Sequence, residues 1–380
     1  MPDFKKLARI LSPRGIQTAD NDGPSRFPPV PSVAPSAFTS SYILLRRLKE
    51  GESGDISLYT HQTSLQSIVM KPVKSVHPKQ PLEYSILEIC KHSPNIITVL
   101  GFCPHVPDPG TDAILLEYCK YGDLLEYQNL FVDNSVYPTE RTMRVVFRQL
   151  LQALVFLHNG VGSGTDTSKW KPIVHRDIKL ENVLISKLNE GPEGLLRDIL
   201  EIKLTDFDLA KRYNKRDCIV PRGAGSPVCW PPEQTLQKRK AKPRGDIWAV
   251  GAVMHALAHC TYPLKDVVEY KEEFLRNYGG RYPADIGAEE RNNTLRERWY
   301  WEALVPREVT SLEDAIDGYD GSGVRVDRNL PLWRLRVAEW RQVYSPEFSN
   351  LVASALKRKE ERKTALELLG GMSNILNVET

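Results

Sequence analysis

The sequence predicts an α+β chain in two unequal parts, a small β-rich lobe with one main helix followed by a larger, mostly helical lobe. Three observations predict it. Short runs of β-branched and aromatic residues cluster before Glu117, stripes of helical period dominate after Gly122, and 380 residues exceed what one small core organises.

Residues 12–40 are rich in Pro, Ser and Gly, as in Arg26-Phe27-Pro28-Pro29-Val30-Pro31-Ser32. Such a stretch buries too little apolar surface to offset its ordering entropy. Residues 1–40 are therefore expected to form a disordered tail, with a docking motif for a Pro-binding module as the alternative. From residue 41 the texture changes, and 42–48, 56–59 and 66–70 read as strands. Leu82, Ile86 and Ile89 recur at i, i+4 and i+7, which marks an amphipathic helix. Strands at 96–100 and 113–117 complete a small lobe taken as 41–118.

The large lobe is taken as 119–372. In it Met143, Val146, Phe147, Leu150, Leu151, Leu154 and Leu157 form one stripe, with Pro138 and a capping residue, Thr139, before it. Residues 183–185 and 199–205 read as short strands, 246–260 as a buried helix, 349–356 and 364–369 as the last helices, and 373–380 as a tail. Three insertions interrupt this plan, near 159–171, 187–197 and 265–344. The first two are polar or Gly/Ser-rich surface loops. The third holds four of the seven tryptophans, Trp299, Trp301, Trp333 and Trp340. Buried aromatics imply packing, so an ordered extension is expected, with a partner-docking surface as the alternative.

Composition excludes several classes. A net charge of +3 over this length gives no overall positive field, which argues against a dedicated nucleic-acid binder. The six cysteines include no C-x-x-C spacing, so a zinc site is not expected. The N-terminal residues lack a secretory pattern, so reduced thiols and a cytoplasmic or nuclear location are expected. The longest nearly apolar run, 248–260, is too short to span a bilayer.

The chemistry concentrates in His175-Arg176-Asp177-Ile178-Lys179-Leu180-Glu181-Asn182, followed by the apolar triplet Val183-Leu184-Ile185. A carboxylate, an ammonium and a carboxamide stand there at fixed offsets. Phosphoryl transfer uses that set: a carboxylate to orient a hydroxyl, a cation for the moving phosphate, and an oxygen ligand for Mg²⁺. The string fits the template H-R-D-x-x-x-x-N, and on these residues the chain resembles the eukaryotic protein kinase family.

Other segments carry the resemblance in the expected order, over roughly 42–370. Gly51 and Gly54 fill the second and third slots of a Gly-rich loop and Ile56 its valine slot, while Lys49 departs from the first glycine. Lys71 ends a V-A-I-K-type strand, Ile68-Val69-Met70-Lys71, and Glu83 stands where the family's helix glutamate pairs with that lysine. Thr205-Asp206-Phe207-Asp208 occupies the D-F-G position with Asp208 in place of glycine, and Pro231-Pro232-Glu233 stands for A-P-E. Asp246-Ile247-Trp248-Ala249-Val250-Gly251 resembles the family's D-x-W-x-x-G helix start, and Arg362 is placed to pair with Glu233.

The resemblance implies a two-lobed protein kinase fold with ATP and Mg²⁺ in the cleft, and Ser/Thr hydroxyls of proteins as acceptors. Asp177 would orient the hydroxyl, Lys179 would stabilise the transferring phosphate, and Ser226 would contact both. Asn182 and Asp206 would hold Mg²⁺. Glu117 carbonyl and Cys119 amide would meet adenine, Leu116 would be the gatekeeper, and Asp123 would meet the ribose. Ile56 and Val69 above and Leu184 below would sandwich the base. Residues 209–225 hold no Ser or Thr, so a standing charge, Asp217, is the expected substitute for an activating phosphate there. A pseudokinase that binds partners without turnover is the alternative, on account of Lys49, Asp208 and the long insertions.

Overall fold

Short runs of apolar and β-branched residues before Glu117 build one five-stranded antiparallel sheet in the order β1-β2-β3-β5-β4. The strands are β1 (Tyr42–Gly51), β2 (Gly54–His61), β3 (Ser67–Lys74), β4 (Val99–Cys103) and β5 (Thr111–Glu117). This is a computed structural model; it describes residue 38 and, with breaks at 52, 77–78, 108–109, 135–136, 165 and 217, residues 40–189, 197–313 and 344–376. Successive side chains of a strand point to opposite faces. Ile68 and Met70 of β3 accordingly enter a small cluster with Leu100, Leu115 and Phe38, while Val69 packs on the main core. Phe38 falls within the expected tail, yet it is buried and stacks on Tyr42 at 4.8 Å, so packing begins before residue 41.

Helix α1 (Leu82–Cys90) crosses from β3 toward β4 and buries Glu83, Ile86, Leu87 and Cys90. The strand expected at 96–100 lies three residues later, at Val99–Cys103. Ile96 and Ile97 belong instead to a seam with β8 (Ile199–Leu204): Ile97 N donates to Leu204 O at 2.9 Å, and Leu204 N to Asn95 O at 2.9 Å. Apolar run length alone does not separate these two backbone partners.

The larger part surrounds helix α3 (Glu140–Asn159), which follows α2 (Leu124–Asn134). Thr139 Oγ1 accepts from Thr142 N at 3.1 Å and caps α3. Gly160 ends it at φ 71°, where a Cβ would lie 2.5 Å from the Trp170 ring. Trp170 packs edge-on against Phe156, so the 159–171 loop is anchored at both ends. Helix α3 packs on α4 (Pro243–His259), on β8 and on the last helix. Two short antiparallel pairs bracket the catalytic loop: β6 (Ile173–Val174) with β9 (Lys211–Arg212), and β7 (Val183–Leu188) with β8. Because β7 runs to Leu188, the loop expected from 187 starts later, and 190–196 lie outside the described residues.

The long insertion opens with α5 (Val267–Asn277), α6 (Ala288–Arg291) and α7 (Thr294–Leu304), which gather Trp301, Tyr300 and Ile286 around Trp230. Trp333 and Trp340 lie outside the described residues, as does Asp217. The chain closes with α8 (Pro346–Ala355) and α9 (Ala365–Leu376), the latter running past the expected boundary at 372. Among the described residues no helix is long and apolar enough to cross a membrane.

Candidate active site

Lys71 projects from the sheet beside Val69, and α1 presents Glu83 from its first turn. Lys71 Nζ lies 2.9 Å from Glu83 Oε1, 2.8 Å from Asp206 Oδ1 and 3.0 Å from Asp208 Oδ1. An ammonium has three N–H donors; here all three face carboxylates. Burial works to lower the Lys71 pKa, but the three carboxylates outweigh it and hold the ammonium charged. Burial pushes Glu83 up to about 8 against the pull of Lys71, with Asp208 adding to the rise. For Asp206 the same burial is overcome by Lys71, which keeps it below the usual carboxylate range. Glu83 Oε1 also accepts from Phe207 N at 3.1 Å, so a single carboxylate oxygen ties α1 to the segment after β8. Asp206 itself sits at φ 64°, a conformation most side chains avoid.

The catalytic loop is fixed from below. Asp246, in the first turn of α4, accepts from the backbone N–H of His175 at 2.9 Å and of Arg176 at 3.0 Å. His175 is fully buried, and desolvation lowers its pKa and keeps it neutral; it packs edge-on against Phe207 at 4.6 Å. Above it, Asn182 Nδ2 donates to Asp177 O at 2.8 Å and to Asp177 Oδ2 at 3.2 Å, and Lys179 Nζ stands 3.2 Å from the same Oδ2. Asp177 Oδ1 is buried and, among the described residues, has no hydrogen-bond partner. Leaving a buried acceptor unmade costs about 1–3 kcal/mol, a cost that an incoming hydroxyl would relieve. Lys179 also feels Asp206 electrostatically, which links the Asp177 group to the Lys71 group.

Ser226 is half-buried, and its hydroxyl makes no hydrogen bond to Asp177 or Lys179 among the described residues. Gly51 pairs with Gly54 across the β1–β2 turn; a Cβ on Gly51 would meet Gly54 O at 2.7 Å, and Gly54 holds φ 132°. Ile56 contacts this turn, and Val69 pairs with Leu116 across β3 and β5. Glu117 Oε1 accepts from Thr98 N at 2.6 Å and lies 3.2 Å from Lys203 Nζ. Cys119 is buried, and burial pushes its thiol up to about 12. Asp123 bridges to Leu184, and its Oδ1 accepts from Glu126 N at 2.9 Å, capping α2. Burial raises the Asp123 carboxyl to about 6.

The oxygens of Glu83, Asp206 and Asp208 lie within 4.8 Å of one another. All three are carboxylates, hard oxygen donors of the kind Mg²⁺ prefers, so this donor set suits that ion. Sequence reasoning treated Asp208 only as a missing glycine and did not anticipate its contact with Lys71; the signal was the i, i+2 spacing from Asp206. It also missed Arg307, whose guanidinium donates to Trp230 O at 2.8 Å and Pro227 O at 2.8 Å, and for which the local sequence offers no cue. Arg362 meets Glu233 with paired contacts of 2.7 and 2.9 Å.

A sequence profile of the protein kinase domain matches residues 42–371. The chain belongs to the protein kinase family. Its fold is the two-lobed α+β kinase fold, with the sheet, α1 and the helical part in the family's order. Among curated proteins the kinase domain is similar to probable serine/threonine-protein kinase MARK-C of Dictyostelium discoideum, 26% identical over 223 residues, covering 57% of this chain and 25% of that protein. It is 26% identical over 282 residues to NUAK family SNF1-like kinase 1 of Mus musculus, covering 72% of this chain and 37% of that protein. Serine/threonine protein kinase OSK3 of Oryza sativa subsp. indica is 26% identical over 322 residues, covering 82% and 54% respectively. The chain thus spans a quarter to about half the length of these relatives.

Proposed function

We propose that this kinase domain transfers the γ-phosphoryl group of Mg-ATP to Ser or Thr hydroxyls of protein substrates. The observation that carries the reading is the convergence of Lys71, Glu83 and Asp206 within hydrogen-bond distance, beside an Asp177 whose Oδ1 has no hydrogen-bond partner. Bound Mg-ATP supplies the electrophilic phosphorus. Lys71 would hold its α and β phosphates, steadied by Glu83, while Asn182 and Asp206 would hold Mg²⁺. Gly51 and Gly54 leave room for the phosphates to approach the backbone. Glu117, Cys119 and Asp123 would meet the nucleoside, with Ile56, Val69 and Leu184 against the base.

Asp177 Oδ1 would accept the proton of the substrate hydroxyl. Lys179, held against Oδ2, would neutralise charge gathering on the transferred group, and Ser226 would join Asp177 and Lys179 once a peptide is seated. A lysine two residues after the aspartate favours Ser/Thr over Tyr as acceptor, and two of the relatives, MARK-C and OSK3, are named serine/threonine kinases. The second reading, a pseudokinase, is favoured by Asp208 at Lys71 and by Lys49 in the loop. Phosphate transfer from Mg-ATP to a mixed-protein substrate, run beside Asp177→Asn, decides between them. A loss of about a thousandfold or more on substitution is expected; equal signals from both proteins would remove the enzymatic reading.

A further inference from the structure

Positive charge in this chain is concentrated beside the catalytic loop. Residues 209–225 and 234–244 carry ten of its 51 Lys and Arg but only one of its 48 Asp and Glu, so the rest of the chain is net acidic. The backbone joins the two segments to each other: Ile219 bridges Lys240, Val220 N donates to Arg239 O at 2.8 Å, and Ala241 N donates to Cys218 O at 2.9 Å. It also joins them to the active site. Lys211 and Arg212 pair with Ile173 and Val174, immediately before His175, and Lys242 lines one cleft with Arg176, Ile178 and Ser226.

Three of the ten cations have structural work. Arg222 pairs with Glu290, Arg239 donates to Val220 O, and Arg244 donates to Lys359 O. Six others, Arg212, Lys215, Arg216, Lys238, Lys240 and Lys242, form no ion pair among the described residues, and all but Lys242 are exposed. Residues 209–225 hold no Ser or Thr, so Arg212, Lys215 and Arg216 have no phosphorylated Ser or Thr of their own segment to answer. Because residues 238–244 are bonded into the fold through Arg239, Ala241 and Arg244, they are not a free linear tag.

From this placement we infer that the substrate is acidic: Asp and Glu flanking the acceptor hydroxyl pair with the cations of 212–216 and 238–242. The inference rests on the proposed function in one respect, that a peptide is what approaches Asp177. Like-sign potentials in a cleft raise both the local concentration and the on-rate of an oppositely charged partner.

Binding and phosphorylation of three fluorescent Ser peptides of equal length, flanked by Asp/Glu, by Ala/Gln or by Lys/Arg, test it on the full chain. The acidic peptide should bind about tenfold or more tighter than the neutral one, with the gap closing at high salt. Lys215→Glu with Arg216→Glu, and separately Lys238→Glu with Lys240→Glu, should each erase most of that gap while leaving the neutral peptide and the melting temperature unchanged. The matching Gln variants should give about half the effect. Equal affinity for all three peptides, or preference for the basic one, overturns the inference. So does a labelled RNA of the same length and charge that binds as tightly as the acidic peptide. Since anisotropy needs no turnover, an acidic preference without phosphate transfer would keep this inference and reject only the enzymatic reading.

Discussion

Replacing Asp208 by Asn should tighten the binding of Mg-ATP. Lys71 donates to Glu83 and Asp206 at 2.9 and 2.8 Å and pairs with Asp208 at 3.0 Å, so its charge is shared among three carboxylates. A phosphate oxygen gains a donor only if one carboxylate lets go. Glu83 is only 4% exposed and also holds Phe207 N, and the Asp206 side chain is 35% exposed, whereas the Asp208 side chain is the most exposed of the three at 47%. Breaking a charge-assisted contact at that exposure costs about 1 kcal/mol, and a carboxylate left near the phosphates opposes binding by up to about another 1 kcal/mol. Removing the charge should therefore lower the dissociation constant about five- to thirtyfold. Titration calorimetry of wild type, Asp208→Asn and Asp208→Gly with Mg-ATP measures this, with adenosine as the control that should not change. An unchanged or weaker Mg-ATP affinity in both variants would refute the competition at Lys71 and point to Asp208 as a metal ligand.

Other outcomes follow from the same contacts. His255 is buried between Thr261 O and Thr310 N, and burial lowers its pKa to about 3 from 6.5. In that window the unfolded chain binds more protons than the folded one. Stability should therefore fall as pH drops below about 6.5, by at most about 1.4 kcal/mol per pH unit from this group, and His255→Gln should flatten the slope in urea titrations at several pH values. Gly160→Ala should cost about 2–3 kcal/mol in urea unfolding, since it combines a left-handed backbone with displacement of the Trp170 ring. Arg222→Ala should change global stability by less than about 1 kcal/mol. It removes the two contacts to Glu290 and the one to Asp285 O, so trypsin should cleave within 209–225 faster than in wild type.

Much of this architecture is written locally. The stripe from Met143 to Leu157 and the cap at Thr139 define α3 because helical period and capping chemistry depend on residues a few positions apart. The strings around Asp177 and Asp206 are legible for the same reason, each being one short loop. What local pattern does not carry is choice of partner. Ile96 and Ile97 are as apolar as a strand, yet they bond β8 across the chain, which is why β4 lies three residues later than expected. Arg307 and Asp208 gain their meaning only from groups brought near by folding, Trp230 and Pro227 in one case and Lys71 in the other. Phe38 shows the limit of composition: one aromatic in a Pro-rich stretch finds a place under Tyr42 and Tyr59.

The seam at Asn95–Thr98 divides the proposed nucleotide site mechanically. Thr98 N is held by Glu117 Oε1, Glu117 lies 3.2 Å from Lys203, and Gly122 O accepts from Ile185 N at 2.9 Å. The strap beside the proposed adenine position is thus riveted to the larger lobe at several points, while the Gly51–Gly54 tip, among the described residues, belongs to the sheet of the small lobe, where Gly54 approaches Pro72 of β3. Rocking of the sheet would then change the phosphate end of the proposed nucleotide site more than its adenine end. A flat heteroaromatic compound without phosphates would sense little of that rocking, and its residence time would report on the strap rather than on the tip.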